Sequence, residues 1–433
     1  MDIPIVAIIG KPNVGKSTLF NRIIRKQLAI TDVTPGVTRD RNYSEFEWNG
    51  RNFMLVDTGG YVISSKDTME RAVSEQSRLA IVEADVILFL IDVKSGITDI
   101  DASIRDELAK SGKPVILGVN KVDKTSDEYD VYEFYKLGLG DPYPLSAIKG
   151  RGTGDLLDAI VESLPSERTK TEYAEALKIA LIGRPNVGKS SIVNILTGKN
   201  SVLVTDIPGT TRDSTDTHIT VNGRHIIIVD TAGMKRVTRL KESLEYYSSL
   251  RTLRSLSRCD VAVVVIDINE GLTSYDKRLI DDVTNAGKGL IIAANKWDLI
   301  IKDTKTMKQT ETRICDELPD KTPYPIVFTS ALTGQRVRKL IESAERIGER
   351  REFRVQTAEL NRFVEKLSLP PGSSDDTLYY ATQYDVNPPS FVFFVNDVRY
   401  VKENLIKYIK RCLRKQFDFE GTPIKVSFKR RKR

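Results

Sequence analysis

Two eight-residue segments place glycine, lysine and serine at the spacing G-x-x-x-x-G-K-S, which is suited to binding phosphate groups. Each follows a short apolar run and precedes a helical stretch. Glycines let the loop turn its amides inward around phosphates without Cβ clashes, and the helix N-terminus adds positive potential. The pattern predicts two phosphate-binding loops rather than two ordinary glycine turns. They comprise Gly10, Lys11, Pro12, Asn13, Val14, Gly15, Lys16 and Ser17, and then Gly183, Arg184, Pro185, Asn186, Val187, Gly188, Lys189 and Ser190.

Further positions in each half predict a nucleoside triphosphate with Mg²⁺. Lys16 and Lys189 would bridge the β- and γ-phosphates. Aspartates at the C-terminal edge of a strand face the ligand crevice of a doubly wound sheet, where they would hold Mg²⁺ through water. Threonines in the loop after the first helix would close the metal shell only when the γ-phosphate is bound; the alternative is a helix-capping threonine. The predicted Mg²⁺ ligands are Ser17, Thr38 and Asp57 in the first half and Ser190, Thr211 and Asp230 in the second.

The aspartates begin a D-x-x-G motif whose glycine would offer its amide to the γ-phosphate. D-x-x-G alone is a common turn, but it carries weight when it follows a phosphate loop at the right distance. The motif and its next residue are Asp57, Thr58, Gly59, Gly60 and Tyr61 in one half and Asp230, Thr231, Ala232, Gly233 and Met234 in the other. In many enzymes that hydrolyse nucleoside triphosphates a glutamine at the last position orients the attacking water, and neither Tyr61 nor Met234 can do that.

A third motif, N-K-x-D, predicts that the base is guanine. Its carboxylate accepts hydrogen bonds from the N1–H and exocyclic amine of guanine, a pair that adenine lacks, and a carboxylate left unpaired is costly. A Ser-Ala pair after a later apolar run could give a backbone amide to the guanine O6. The residues are Asn120, Lys121, Val122, Asp123, Ser146 and Ala147, and then Asn295, Lys296, Trp297, Asp298, Ser330 and Ala331.

These motifs recur in the same order along the chain, at offsets of 173 residues for the first two and 175 for the third, which indicates a duplicated domain. Continuous Val/Ile/Leu runs predict strands buried on both faces of a mostly parallel sheet. The predicted fold is α/β: two tandem P-loop GTPase (G) domains, each doubly wound, at residues 1–165 and 177–350, joined by a linker at 166–176. The predicted strands are Pro4–Ile9, Asn52–Val56, Asp85–Ile91, Pro114–Val119, Lys178–Ile182, His225–Val229, Asp260–Ile266 and Gly289–Ala293.

Residues 351–433 form a separate, basic region. They hold 17 Lys/Arg and 10 Asp/Glu, a net of +7, which equals the net charge of the whole chain. A helix at Thr357–Leu367, strands at Leu378–Val386 and Ser390–Val395, a helix at Val401–Phe417 and a strand at Pro423–Phe428 predict a small α+β domain. Its basic residues are candidate RNA contacts, the alternative being a solvated face: Lys407, Arg411, Arg414, Lys415, Lys429, Arg430, Arg431, Lys432 and Arg433.

Composition excludes several classes of protein. The 433-residue chain is 40% hydrophobic and 29% charged, its N-terminus has no secretory pattern, and its longest apolar runs are far too short to span a bilayer. Three cysteines without a C-x-x-C pair and two histidines disfavour a disulfide framework and a zinc site. We expect a cytoplasmic protein without a membrane partner, acting as a monomer.

The motif set resembles the Era-like branch of translation-factor-type GTPases. Two tandem copies followed by a small basic domain are similar to the bacterial double Era-like GTPases of the TrmE-Era-EngA-like superfamily. The similarity covers essentially the whole chain, including Ala381-Thr382-Gln383, Pro388-Pro389-Ser390-Phe391 and Phe419-Glu420-Gly421-Thr422-Pro423. It implies GTP hydrolysis in assembly of the large ribosomal subunit, with ribosomal RNA or a precursor particle as partner and a KH-like third domain.

The resemblance also implies that K⁺ replaces the missing glutamine, held by Asn13 and Asn186 in the phosphate loops. The alternative for each asparagine is loop geometry alone. We expect slow GTP hydrolysis that K⁺ accelerates and Na⁺ does not. KH domains that grip RNA use a GxxG loop, which residues 351–433 lack. Alternative functions are a GTPase of tRNA modification and a non-catalytic GTP-binding RNA scaffold.

Overall fold

The computed structural model of the chain describes residues 3–30, 43–58, 80–165, 176–198, 216–221, 223–231, 252–301, 305–318, 324–367 and 378–431. The chain divides into two compact units. The first comprises Met1–Thr171 with Leu240–Ser257, and the second Glu172–Arg239 with Arg258–Arg433. Within the described ranges, no helix combines the length and the apolar character needed to cross a membrane.

The first unit contains a six-stranded sheet in the order β2-β3-β1-β4-β5-β6. All neighbouring strands are parallel except the edge strand β2, which is antiparallel to β3. The strands are β1 Ile5–Ile9, β2 Tyr43–Trp48, β3 Arg51–Asp57, β4 Val86–Asp92, β5 Val115–Asn120 and β6 Pro142–Pro144; the helices are Lys16–Ile30, Asp99–Ser111 and Thr153–Ser163, with 3₁₀ helices Val93–Ser95 and Thr125–Leu137.

The second unit begins with a sheet of the same design, in the order β12-β11-β10-β7-β9-β8. Here too only the edge strand, β8, runs antiparallel to its neighbour. The strands are β7 Leu177–Ile182, β8 Thr217–Val221, β9 Arg224–Val229, β10 Val261–Asp267, β11 Gly289–Asn295 and β12 Ile326–Phe328; the helices are Lys189–Thr197, Ser274–Asn285, Thr306–Glu317 and Arg338–Glu352, with a 3₁₀ helix Trp297–Leu299.

Helices cover both faces of each sheet, which explains the continuous apolar strands. In β1 all five residues are buried. Its alternate residues belong to two different cores: Val6 and Ile8 pack with Leu19, and Ile5 with Leu108. Because the strands are parallel, the residues that end them collect at one edge of the sheet, where Asp92 pairs in register with Asn120, and Asp267 with Asn295. This is the edge at which doubly wound sheets bind ligands.

The C-terminal domain belongs to the second unit and has the order helix, two strands, helix, strand. Its elements are the helices Thr357–Lys366 and Glu403–Phe417, a 3₁₀ helix Val398–Tyr400 and the strands β13 Leu378–Val386, β14 Pro389–Val395 and β15 Lys425–Arg430. Phe391, Phe393 and Phe419 fill its core. The domain is attached to the preceding sheet, since the amide of Leu290 donates to the carbonyl of Gly421 at 2.8 Å. A Cβ at Gly421, whose φ is +70°, would lie 2.5 Å from Ile347 Cδ1.

The predicted fold class is confirmed, and all eight strands predicted for the two sheets are present with ends shifted by a residue or two. The α-β-β-α-β order is also confirmed, although the last helix begins at Glu403 rather than Val401. Four strands were missed. The edge strands β2 and β8 have a polar exposed side, and β6 and β12 have only three residues each. Most of the predicted linker, residues 166–175, lies outside the described residues.

Candidate nucleotide sites

Both predicted phosphate loops connect the first strand of a sheet to the helix that follows it, and glycine is required at the two ends of each loop. A Cβ at Gly10 would lie 2.3 Å from the carbonyl oxygen of Leu90, and one at Gly15 would lie 2.3 Å from Asn120 Nδ2. The matching distances at Gly183 and Gly188 are 2.4 Å to the carbonyl oxygen of Val265 and 2.2 Å to Asn295 Nδ2. The two loops therefore press against the same neighbours in both halves.

The lysine side chain of each loop folds back and donates hydrogen bonds to backbone carbonyls of the same loop. Lys16 Nζ donates to the carbonyls of Gly10 at 2.8 Å and Lys11 at 2.9 Å. Lys189 Nζ does the same with Gly183 at 2.7 Å and Arg184 at 2.5 Å. Burial lowers the pKa of Lys16, an effect opposed by the nearby Asp57 carboxylate. The ammonium is thus held where it would meet phosphate oxygens.

The second residue of each loop anchors it to a buried carboxylate that caps a helix. Lys11 Nζ donates to Asp101 Oδ2 at 2.8 Å, and the same oxygen accepts the Thr98 amide at 3.0 Å. Asp101 is wholly buried and forms a capping box with Thr98 at the start of helix Asp99–Ser111. The Lys11 ammonium also donates to the hydroxyl of Ser95 at 2.9 Å.

The second half repeats this anchor with an arginine. Arg184 Nε donates to the wholly buried Asp276 at 3.2 Å, and its Nη1 pairs with Glu270 at 2.6 Å. Asp276 and Thr273 form the matching capping box of helix Ser274–Asn285. A single side chain therefore fixes each phosphate loop to the helix after β4 or β10.

The asparagine of N-K-x-D joins the phosphate loop to the Ser-Ala loop. Asn120 Nδ2 donates to the Val14 carbonyl at 2.7 Å, and its Oδ1 accepts the Ala147 amide at 2.9 Å. Asn295 makes the same two bonds, to the Val187 carbonyl and from the Ala331 amide, at the same distances. The alanine amides are thus donors to asparagine, and the predicted contact of Ala147 or Ala331 with guanine O6 stays a prediction.

The lysine of the same motif has a positive φ and pairs with an aspartate that ends a neighbouring strand. Lys121 has a φ of 68° and lies 2.6 Å from Asp92 Oδ2; Lys296 has a φ of 64° and lies 2.6 Å from Asp267 Oδ2. The pair turns the chain sharply after β5 and β11, which places the last aspartate of the motif beyond the sheet edge. Trp297 fills the unspecified position and packs on Phe328 with ring centroids 4.5 Å apart.

The predicted base-reading aspartates have different surroundings. Asp123 Oδ1 accepts the Ser146 hydroxyl at 2.8 Å, and Oδ2 lies 3.1 Å from Lys94 Nζ. The Ser146 hydrogen bond, and then that of Lys94, lowers the pKa of Asp123. In the second half the residue matching Lys94 is Asn269, whose side chain donates to Asp267 at 3.2 Å. Among the residues that the structure describes, Asp298 has no ion-pair partner.

Four of the six residues predicted to bind Mg²⁺ lie within the described ranges: Ser17, Asp57, Ser190 and Asp230. Ser17 and Ser190 are exposed in the first turn of their helices, and the carboxylate of Asp57 is buried at the end of β3. Hydroxyl and carboxylate oxygens suit this hard cation. Asp230 differs from Asp57: its φ is 58°, and its amide donates to Asp216 Oδ1 at 2.9 Å. Asp216 in turn lies 2.5 Å from Arg258 Nη2.

Some predicted residues lie outside the described ranges: Thr38, Gly59, Gly60, Tyr61, Thr211, Ala232, Gly233, Met234, Lys432 and Arg433. Asn13 and Asn186, the predicted K⁺ ligands, are described, with φ angles of 66° and 63°. Asparagine tolerates this left-handed conformation better than most residues, so loop geometry accounts for part of its presence.

Sequence reasoning missed the carboxylates Asp92 and Asp101 with the threonine Thr98, and their counterparts Asp267, Asp276 and Thr273. Each of these residues lies 175 positions before its counterpart in the second half, which is the offset already seen for N-K-x-D. The segment Gly96-Ile97-Thr98 followed by Asp101 therefore matches Gly271-Leu272-Thr273 followed by Asp276. Extending the repeat along this register would have found all six residues.

The candidate RNA contacts of the C-terminal domain do not form one uniform open face. Lys415, Lys429 and Arg430 are exposed. Lys407 pairs with Glu403 at 3.0 Å, and the guanidinium of Arg411 lies 5.7 Å from the ring centre of Tyr408.

Arg414 is half-buried, with its guanidinium 6.0 Å from the ring centre of Tyr324, and its contact with RNA stays a prediction. It is half-buried because this part of the helix packs against the preceding G domain. Arg431 lies over the ring of Tyr379, with 4.6 Å between the guanidinium carbon and the ring centre.

Known proteins are similar to this chain over nearly its whole length. The family described as "50S ribosome-binding GTPase" matches twice, at residues 5–121 and 178–296. The family described as "KH-domain-like of EngA bacterial GTPase enzymes, C-terminal" matches residues 354–429. GTPase Der of Moorella thermoacetica is 49% identical over 432 residues, covering 99% of this chain and 98% of that protein. The chain belongs to the GTPase Der family.

A second member of the Der family is also similar over its full length. GTPase Der of Lachnoclostridium phytofermentans is 48% identical over 436 residues, with 99% of this chain and 98% of that protein covered. Among solved structures, Aquifex aeolicus Era bound to GDP and AlF₄⁻ is 25% identical, with a TM-score of 0.32, over 64% of this chain and 98% of that one. Membership of the Der family makes the chain a GTPase with two G domains and a KH-like domain, and implies GTP or GDP with Mg²⁺ as ligands.

Proposed function

We propose that the chain hydrolyses GTP to GDP and phosphate at both sites and acts as a nucleotide-dependent switch in assembly of the large ribosomal subunit. One observation carries the first part: in both halves an asparagine ties a lysine-bearing phosphate loop to the loop that follows the guanine motif, through bonds of equal length. The two closed frames support nucleotide binding at both sites, and phosphate release distinguishes a GTPase from a scaffold that binds GTP without hydrolysing it.

The chain's own residues supply binding and orientation. Lys16 and Lys189 place an ammonium across each loop, and Asn13 and Asn186 introduce a left-handed turn into it. Ser17, Thr38 and Asp57, and in the second half Ser190, Thr211 and Asp230, would hold Mg²⁺. The bound ion offsets negative charge on the β- and γ-phosphates. Asp123 and Asp298 select guanine.

Base selection is tested by exchanging the carboxylates for amides. In the doubly substituted protein, Asp123→Asn with Asp298→Asn, an amide can donate to the O2 of xanthine. We expect calorimetry to show a preference for xanthosine diphosphate over GDP. Asp106→Asn, an exposed residue of helix Asp99–Ser111, is the matched control. An undiminished preference for GDP in the double variant would remove the assignment.

K⁺ stimulation belongs to the same proposal, and the left-handed φ of Asn13 allows a sharp test. Asn13→Gly keeps the turn but removes the side-chain oxygen, whereas Asn13→Ala removes both. If Asn13 binds K⁺, phosphate release at the first site loses its dependence on KCl relative to NaCl in both variants. Retained stimulation in the glycine variant would assign Asn13 to loop geometry alone. Asn186→Gly repeats the test at the second site.

Ribosomal RNA binding is supported by the net charge of residues 351–433 and by the exposed Lys415, Lys429 and Arg430. The substitutions Lys429→Gln and Arg430→Gln test it, since a deletion would remove residues that pair with β14. We expect weaker binding to large-subunit RNA and a shallower dependence of affinity on salt. Unchanged affinity at low salt would contradict this patch.

Co-sedimentation in gradients separates the possible functions. We expect the protein with large-subunit precursors in a manner that differs among GDP, GTP and a non-hydrolysable analogue. Migration with free tRNA would instead favour a role in tRNA modification. Absence of multiple-turnover phosphate release, even with K⁺ and ribosomes, would favour a non-catalytic scaffold.

A further inference from the structure

The 3₁₀ helix Thr125–Leu137, which follows the guanine motif of the first unit, divides its side chains into three rows. A 3₁₀ helix has three residues per turn, so residues three apart lie above one another on one face. One row, Val131, Phe134 and Leu137, is buried in the core. The other two rows face outward, and they differ sharply in chemistry.

The first outward row consists of tyrosines. Tyr129, Tyr132 and Tyr135 are 78%, 69% and 48% exposed. The rings of Tyr132 and Tyr135 are stacked, with centroids 6.3 Å apart and an interplanar angle of 18°. Hydrogen bonding with Asp141 raises the pKa of Tyr135. Three large aromatic side chains thus stand in line on the surface.

The second outward row lies beside the tyrosines and has more acidic than basic residues. It contains Asp127, the exposed Asp130 and Glu133, and the exposed Lys136 at its end. Glu133 makes only a long contact, 3.6 Å, with the exposed Lys136. Exposed pairs of this kind contribute little and are easily exchanged for another partner. Aromatic faces next to carboxylates attract cations, and they repel phosphates.

The fold itself does not account for these side chains. The corresponding stretch of the second G domain contains the α-helix Thr306–Glu317, which has no aromatic residue. The buried row anchors the 3₁₀ helix Thr125–Leu137 to the core, so polar residues could replace the tyrosines without loss of core packing. Their presence in one copy only suggests a binding role particular to the first G domain.

We propose that this tyrosine row binds an extended, basic segment of another polypeptide that carries arginines at alternate positions. Successive tyrosines are spaced by one 3₁₀ turn, about 6 Å. Alternate side chains of an extended strand point the same way and are spaced about 6.6 Å apart. Each guanidinium can therefore lie on one ring, a favourable cation–π geometry, while Asp130 and Glu133 compensate the charge. The proposal does not depend on the function proposed above.

The experiment compares two labelled peptides of identical composition on the full-length protein. One peptide alternates four arginines with three alanines, and the other has the four arginines in one block followed by the alanines. In fluorescence anisotropy at fixed salt, we expect the alternating peptide to bind about tenfold more tightly. In the variant with Tyr129→Ser and Tyr132→Ser, the two peptides should bind equally and weakly.

Controls separate this row from general attraction and from misfolding. Tyr384→Ser changes a tyrosine of the C-terminal domain that is 54% exposed, and it should leave the tenfold difference unchanged. Unaltered GDP affinity at both sites shows that the tyrosine variants fold. Equal affinity of the two peptides for the unmodified protein, or a difference that survives both tyrosine substitutions, would overturn the proposal. So would oligouridine binding that is lost in the same variants, because it would identify an RNA surface.

Discussion

The two nucleotide-binding halves share one backbone frame but surround it with different charges. In the first half Lys11 reaches a single carboxylate, Asp101, and two hydroxyls; in the second, Arg184 pairs with both Asp276 and Glu270. Asp123, which is predicted to read the base, has Lys94 as a neighbour, whereas the second half has Asn269 at that position. The duplicated backbone frame is therefore the same in both halves, while the charged residues beside it differ.

The largest difference between the two halves is expected when the buried carboxylates Asp101 and Asp276 are removed. Asp101→Ala deletes both the helix cap and the carboxylate that pairs with Lys11 among the described residues, so the free energy of local opening of helix Asp99–Ser111 should fall by about 2–4 kcal/mol. Asp276→Ala should cost less in its own helix because Arg184 keeps Glu270. Native-state hydrogen exchange measures both. Asp106→Asn on the same helix is the control, and equal losses in the two halves would contradict the comparison.

Replacing the cation that anchors the phosphate loop should have the larger effect in the second half. Arg184→Met removes hydrogen bonds to two carboxylates, whereas Lys11→Met removes one to a carboxylate and two to neutral hydroxyls. Each ion pair adds a Coulomb attraction that a hydroxyl does not supply. We expect GDP to dissociate about tenfold faster from the first site of Lys11→Met, and faster still from the second site of Arg184→Met. Stopped-flow release of a fluorescent GDP analogue gives both rates.

The exchange of the two natural residues distinguishes positioning from simple stability. Lys11→Arg and Arg184→Lys keep a cation at the same place, so GDP dissociation should remain within a few-fold of the unmodified rates. If the conservative variants release GDP as fast as the methionine variants do, the anchor is not what holds the phosphate loop. An unchanged rate in the methionine variants would have the same meaning.

The motifs predicted the parallel sheet and the loops at its edge, because those features depend on short segments with strict local requirements. The anchors Asp101 and Asp276 were missed because an aspartate three residues after a threonine is common in any helix start. Only the folded chain shows that the carboxylate is buried and faces the phosphate loop. The half-buried position of Arg414 was missed for a related reason: helical spacing predicts which residues share a face, but not that part of the face packs on another domain.

The smallest expected effect concerns the pH dependence of base recognition. The Ser146 hydrogen bond and then Lys94 depress the pKa of Asp123 below its usual 3.8. A depressed pKa means that the favourable contribution of the ionised carboxylate is present above the usual value and is lost as pH falls through the lowered one. Guanine recognition needs the ionised form. Removing either partner should therefore move the acid limit of GDP binding to higher pH, further for Ser146→Ala than for Lys94→Asn.

The measurement is GDP binding at the first site as pH falls, in an Asp298→Asn background that weakens guanine binding at the second. The reciprocal substitution, Asn269→Lys, introduces into the second half the cation that the first already has, and with Asp123→Asn as background it should extend GDP binding there to lower pH. If Lys94→Asn leaves the acid limit of the first site where it was, the ammonium 3.1 Å from Asp123 does not help to keep that carboxylate ionised. The two halves would then differ only in how their phosphate loops are anchored.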